Sequence, residues 1–216
     1  MLFETRAEAG RTLADAVRTS LGPPGEGERR LVLGLPRGGV PVAAPVAEAL
    51  DADLDVLVVR KLGAPGHAEF AMGALASGGV RVLNEKAVHD LGVTPAQLDR
   101  IEQRERHELA RREHRLRGGR RPIPVEGRRV VLVDDGIATG STMEAAIRAV
   151  REGGATEVVV AVPLAPEDTL TRLDALADEV ICLDVPSPFY AVGQGYRAFP
   201  QVSDEEVAAI LAPSPA

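Results

Sequence analysis

Sulfur, lysine and aromatic rings are all scarce in this sequence, and each shortage excludes something. Its 216 residues hold one cysteine, Cys182, so neither an internal disulfide framework nor a cysteine-based metal cluster can form. A reducing compartment is the simplest setting for such a chain. No apolar run approaches the roughly 20 residues that span a bilayer. The N-terminal stretch MLFETRAEAGRTLADAVRTS carries charge throughout and lacks the apolar core of a signal peptide. A mature cytoplasmic protein without a membrane partner is therefore expected. The net charge of -7 argues against a general affinity for nucleic acid, whose phosphates are bound through positive surface. Among 25 basic residues only Lys61 and Lys86 are lysine, so a lysine near a loop stands out.

What is present is an alternation of apolar runs with helical patterns. Leu31–Leu35, Leu54–Val59, Val130–Val133, Glu157–Pro163 and Val180–Asp184 read as strands, with helices over 7–17, 40–50, 143–150 and 166–177 between or beside them. That order predicts an α/β fold built on a doubly wound, mostly parallel sheet. Thr94-Pro95-Ala96-Gln97 is a strong helix start, and Gly118-Gly119 a stop. The helix between them is crowded with charge, with Glu102/Arg106, Glu108/Arg112 and Glu113/Arg117 spaced as favourable i,i+4 pairs. We read residues 84–121 as a charged helical insertion projecting from a core made of 1–83 and 122–216. Its arginines are either a solvated face or a surface for an anionic partner or another subunit; interleaved glutamates disfavour nucleic acid. His107 and His114 share a face, but no carboxylate or cysteine pattern makes them a metal site.

One stretch carries chemistry, RVVLVDDGIATGST over 129–142. A buried strand runs through Asp134 and Asp135 into a small turn and then a helix. Unpaired N–H groups of Ala138, Thr139, Gly140, Ser141 and Thr142 at that helix start suit a phosphate, and the hydroxyls of Thr139, Ser141 and Thr142 add donors. The two carboxylates, at the carboxyl end of a strand, suit sugar hydroxyls. A turn that merely caps a helix needs one polar residue, and this one supplies several in order. A second strand-turn-helix unit, Leu35-Pro36-Arg37-Gly38-Gly39-Val40, offers another anion loop: Gly38 and Gly39 free the backbone and Arg37 brings a forked donor. Taken alone, it is equally a tight turn with a solvated arginine.

The 129–142 segment resembles the 5-phosphoribosyl-1-pyrophosphate (PRPP) signature of type I phosphoribosyltransferases. That resemblance implies that Asp134 and Asp135 hold the ribose hydroxyls and that Ala138–Thr142 hold the 5-phosphate. It implies that Arg37, Gly38 and Gly39 bind pyrophosphate, in a loop that often carries a non-proline cis peptide, expected here near Pro36–Gly38. It further makes 62–79 a mobile cover, with Arg60 and Lys61 as pyrophosphate contacts, and Asp134, Asp135, Lys61 and Arg37 as the catalytic set. His67 and Glu69 are weaker candidates for proton transfer, since solvated loop side chains explain them equally well. Phe189 and Tyr190 resemble a C-terminal hood that stacks on a base, or they seal the sheet edge. Mg²⁺ is expected through PRPP, near Asp134 and Asp135, with no dedicated protein ligand. Gln194 and Gly195 lie where related enzymes place a metal-contacting acid, and Ala138 replaces their base-contacting aspartate. The implied reaction is transfer of phosphoribose to a nitrogenous base, purine-like favoured, with pyrophosphate released. A PRPP-sensing regulator without turnover and a sugar-phosphate hydrolase stay open, and so does a homodimer.

Overall fold

A computed structural model describes residues 1–65 and 67–212, the side chains of 67–70 excepted. In chain order α1 (Arg6–Leu21), β1 (Arg30–Gly34), α2 (Gly39–Leu50) and β2 (Asp53–Val56) come first. Next come β3 (Val59–Ala64), β4 (His67–Ala76), β5 (Arg81–Leu83), α3 (Glu85–Asp90) and α4 (Pro95–Arg117). The remainder is β6 (Arg129–Val133), α5 (Ser141–Glu152), β7 (Glu157–Leu164), α6 (Glu167–Asp174), β8 (Glu179–Asp184) and α7 (Asp204–Leu211).

The apolar runs become a five-stranded sheet in the order β2-β1-β6-β7-β8, parallel in every pairing. Continuous burial along β1, β6 and β7 is explained by helices on both faces. Alternate residues serve opposite layers: Leu31, Leu33, Val130 and Leu132 pack with Met143 and Ile147 of α5, whereas Val32, Val131 and Val133 pack with Leu13, Val17, Val42 and Val46 of α1 and α2. Both the expected loop after β1 and the expected signature turn leave the same, carboxyl, edge of adjacent strands.

Two expectations need correction. The stretch 62–79 is not an irregular loop: β3 and β4 form an antiparallel hairpin, extended by β5 into a second, three-stranded sheet. The small residues serve close packing here, with Ala64, Ala74 and Ala76 buried and a Cβ on Gly73 falling 2.3 Å from the Val82 carbonyl. Nor does α4 project from the core. Leu109 and Leu116 join Leu62, Leu75, Val202, Val207 and Leu211 in one cluster, so the helix closes the hairpin against α7. Its apolar residues are few, but Leu98, Ile101, Leu109 and Leu116 fall on one stripe. The capping box of Thr94 and Gln97, Pro95 in the first turn and left-handed Gly118 at the end match the sequence signals. Among the expected ion pairs, Arg106–Glu102 and Arg117–Glu113 form, while Glu108 pairs with Arg111 in place of Arg112. No helix among the described residues is long and apolar enough to cross a membrane.

The C-terminal end of α4 is pinned by a buried ion pair. The Arg117 Nε donates to both oxygens of Asp55 at 2.8 and 3.1 Å, and its Nη1 donates to Glu113 at 2.7 Å. Asp55 also accepts from the N–H groups of Val56 and Ile123, at 2.7 and 2.9 Å. Both partners are 4% exposed, so removing one leaves a buried charge uncompensated. Asp55→Ala is expected to lower the unfolding free energy by about 3–5 kcal/mol, read as a lower urea midpoint. Replacing the pair together, Asp55→Leu with Arg117→Met, is expected to cost much less.

Candidate active site

The signature turn is held from behind, which leaves its front open. Thr169 Oγ1 donates to the Ala138 carbonyl and Arg172 Nη2 to the Thr139 carbonyl, both at 2.8 Å from α6. Gly140 adopts φ +76°, and a Cβ there would lie 2.7 Å from Thr169 Cγ2, so only glycine makes this bend at this distance. Helix α5 begins at Ser141, and its first N–H groups have no partner inside the helix. They converge with the Thr139 and Ser141 hydroxyls, whose oxygens are 3.3 Å apart. A helix start with hydroxyls beside it has the donors that an anion needs.

Lys61 of the hairpin reaches this turn, whereas Arg60 and Arg37 face carboxylates of α4 and α7. Lys61 Nζ donates to Ser141 Oγ at 2.6 Å, which places it at the signature turn and not at the Pro36–Gly39 loop. Arg60 turns the other way and donates from Nε and Nη2 to Glu105 of α4, at 2.9 and 2.6 Å. Alternation along β3 separates these two adjacent side chains. Arg37 lies 3.6 Å from Asp204 at the start of α7, about two-fifths exposed.

The two anion loops touch at the acidic pair. A Cβ on Gly38 would fall 1.9 Å from Asp135 Oδ2, and one on Gly39 would fall 2.6 Å from the Val133 carbonyl. No side chain fits between the loops, so the Pro36–Gly39 backbone lies directly against the carboxylates. The Pro36–Arg37 peptide is cis, in the expected place. Asp134 Oδ1 accepts the Asp135 N–H at 2.9 Å. Burial pushes the Asp134 carboxyl well above the usual carboxylate range, and the neighbouring Asp135 charge pushes it further. Burial also raises Asp135, with Arg6 opposing the shift.

That arginine was not singled out by the sequence. Arg6 Nε donates to Asp135 Oδ2 at 2.7 Å and Nη1 to the Pro200 carbonyl at 2.7 Å, while its guanidinium lies 3.8 Å over the Phe199 ring. Tyr196, stacked on Phe199 with centroids 4.9 Å apart, donates its hydroxyl to the Asp135 carbonyl at 2.6 Å. Burial, then the Asp135 charge, pushes the Tyr196 hydroxyl pKa up, which keeps it a donor. Both the N-terminal helix and the tail therefore meet at Asp135, one at its carboxylate and the other at its backbone carbonyl. No spacing rule links residues 129 positions apart, so nothing in the sequence pointed to Arg6.

The two rings expected to stack on a base differ in burial. Phe189 is half-buried against the Phe3, Leu164 and Tyr196 cluster, and Tyr190 is 82% exposed. The tail ring that reaches the acidic pair is Tyr196. Just before it, Val192 packs on Gly136, where a Cβ would lie 2.6 Å from Val192 Cγ1. The side chains of His67 and Glu69 lie outside the described residues.

Among the described residues, no group of three or more His, Cys, Asp or Glu side chains could hold a metal ion.

Comparison with known proteins agrees with this geometry. The family model of the phosphoribosyl transferase domain matches residues 4–198. Two Mycobacterium tuberculosis proteins, from strains CDC 1551 and H37Rv, carry names that provisionally assign them as phosphoribosyl transferases, and each is 51% identical over 210 residues. The match covers 97% of this chain and 46% of theirs, so the chain spans about half the length of these curated relatives. The crystal structure of TT1426 from Thermus thermophilus superposes with a TM-score of 0.87 at 48% identity, covering 98% of both chains. A 74-residue stretch is 46% identical to ribose-phosphate pyrophosphokinase of Methanopyrus kandleri, covering 32% of this chain and 25% of that one. With its signature turn, acidic pair and glycine loop in contact and the family model spanning them, this chain belongs to the phosphoribosyl transferase domain family.

Proposed function

We propose that the protein transfers the 5-phosphoribosyl group of PRPP to a nitrogenous base, purine-like rings first, and releases pyrophosphate. The observation that supports this reading is the contact between the glycine loop and the acidic pair. A ligand with a phosphate in the signature turn and a ribose on Asp134 and Asp135 would carry its C1 substituent toward Gly38 and Gly39. PRPP has that shape and charge.

In this reading the chain's own groups do four things. The α5 N-terminus, Thr139, Ser141 and Lys61 anchor the 5-phosphate. Asp134 and Asp135 accept from the ribose hydroxyls and place negative potential beside the cation that develops at C1. The loop backbone and Arg37 receive the pyrophosphate. Tyr196 and Arg6 keep the Asp135 segment in position from below. Mg²⁺ carried by PRPP near Asp134 and Asp135 would neutralise charge on the pyrophosphate. The nitrogen lone pair forms the bond to C1 as the C1–O bond breaks, and the electron pair leaves on the pyrophosphate oxygen. With alanine at 138, no carboxylate at that position takes the proton of the base. Arg6 holds Asp135 Oδ2, so a ribose hydroxyl on that carboxylate would take the other oxygen or share this one with Arg6.

A pyrophosphate-release assay with PRPP, Mg²⁺ and a panel of nucleobases tests the reading. Base-dependent release is expected, lowered about 10²- to 10³-fold by Asp135→Ala. Release without a base would make the protein a hydrolase, and binding with no release a sensor. Gly38→Ala is expected to weaken PRPP binding at least about tenfold by calorimetry, because its methyl group would occupy the contact between loop and carboxylate.

The raised Asp134 carboxyl gives a stability test. A raised folded-state pKa contributes stability that is fully present below the unfolded value near 3.9 and is lost as pH rises through the folded value. Asp134→Asn keeps the shape without the charge, so it is expected to melt higher than the parent at about pH 7. That advantage should shrink as pH falls toward about 4. An Asn variant equal to or less stable than the parent at neutral pH would refute the assignment.

A further inference from the structure

Helix α4 builds a second cationic site beside the first. A cavity of about 240 Å³ lies between Arg37 of the glycine loop, Arg60 of β3, the outer turns of α4 and the start of α7. Its walls hold five arginines against two carboxylates, Glu108 and Asp204. None of Gly38, Gly39, Asp134, Asp135 or the signature-turn residues lines it, so it is separate from the PRPP cradle and shares only Arg37 with the loop.

The charges in this cavity are poorly matched. Glu108 is paired with Arg111, and Arg60 is paired with Glu105 outside the walls. Arg37 and Arg115 share Asp204, at 3.6 and 3.2 Å. Arg112 has no carboxylate partner among the described residues; its Nη2 only approaches the Pro36 carbonyl at 3.5 Å. It is nonetheless half-buried, on the same stripe of α4 as Leu109 and Leu116, and so cannot simply extend into water. Burial, and then repulsion from Arg60 and Arg37 against the attraction of Asp204, lowers its pKa. Three guanidiniums, one from the glycine loop and two from α4, gathered near the one carboxylate of Asp204 are costly without a further anion.

The geometry points to a phosphate-binding site formed by Arg37, Arg112 and Arg115, taking inorganic phosphate or the terminal phosphate of a small phosphorylated metabolite. A tetrahedral dianion matches several forked donors at once, and the cavity accommodates it with its remaining waters. Once bound, it competes with Asp204 for Arg37. The site therefore connects anion binding on α4 to the loop that faces the acidic pair. This inference does not require the transferase reading, because it concerns binding alone.

Calorimetry with inorganic phosphate, pyrophosphate and adenosine monophosphate, each in the absence of PRPP, tests it on the full chain. The signature turn can also bind phosphate, so the Ser141→Ala, Thr142→Ala double variant serves as background and is expected to retain the site. In that background Arg112→Gln with Arg115→Gln is expected to weaken phosphate binding at least about tenfold. Asp204→Asn is expected to tighten it several-fold, an opposite change that misfolding cannot imitate. Tighter binding of the mononucleotide than of inorganic phosphate identifies a metabolite, and the reverse order identifies the free ion. Phosphate binding unchanged by the arginine pair, or weakened by Asp204→Asn, would overturn the proposal.

Discussion

The contact between Gly38 and the Asp135 carboxylate is the constraint on which the rest of the site depends. A Cβ at that position would be 1.9 Å from Oδ2, so the loop after β1 and the end of β6 sit closer than any side chain allows. Their adjacency follows from the parallel pairing of β1 with β6, which brings Gly34 level with Val133. One sheet register thus delivers both anion loops to one place. The helices α2 and α5 then present their N-termini to that place without further adjustment.

Closeness carries an electrostatic cost that the chain offsets locally. Burial raises both carboxyls and the Asp135 charge raises Asp134 further, while Arg6 opposes the shift and the Tyr196 hydroxyl holds the Asp135 backbone carbonyl. Phe199 supports Arg6 from beneath through its ring face. The scarcity of aromatic residues makes this placement informative: two of the tail's rings hold a cation against Asp135, and Tyr190 is left to solvent.

Helix α4 joins the hairpin, α7 and the glycine loop into one structure. Its face carries Leu109 and Leu116 into a shared cluster, Arg117 into a buried pair with Asp55, and Arg112 to the Pro36 carbonyl. Charge on this helix is therefore only partly solvation. The same stripe that packs the core delivers guanidiniums to the edge of the site, so packing and anion chemistry are linked by helical periodicity.

The sequence by itself determined the local features, because those are set by neighbours in the chain. The buried strands, the α4 capping box and its Gly118 stop, and both strand-turn-helix loops were legible from 130–142, 94–97, 118 and 35–40. The Ser203–Glu206 capping box of α7 is equally local, a Ser-x-x-Glu spacing within the tail. Arg112 also shares the spacing of Leu109 and Leu116, so its inward position was available to a helical-stripe reading. Only the tertiary structure decided that the glycine-rich stretch 62–79 packs as a hairpin and that Lys61 turns to Ser141 while Arg60 turns to Glu105. It alone brought Arg6 and Tyr196 to Asp135. These outcomes depend on which surfaces meet after the sheet has formed, and meetings across more than a hundred residues leave no periodic trace in the chain.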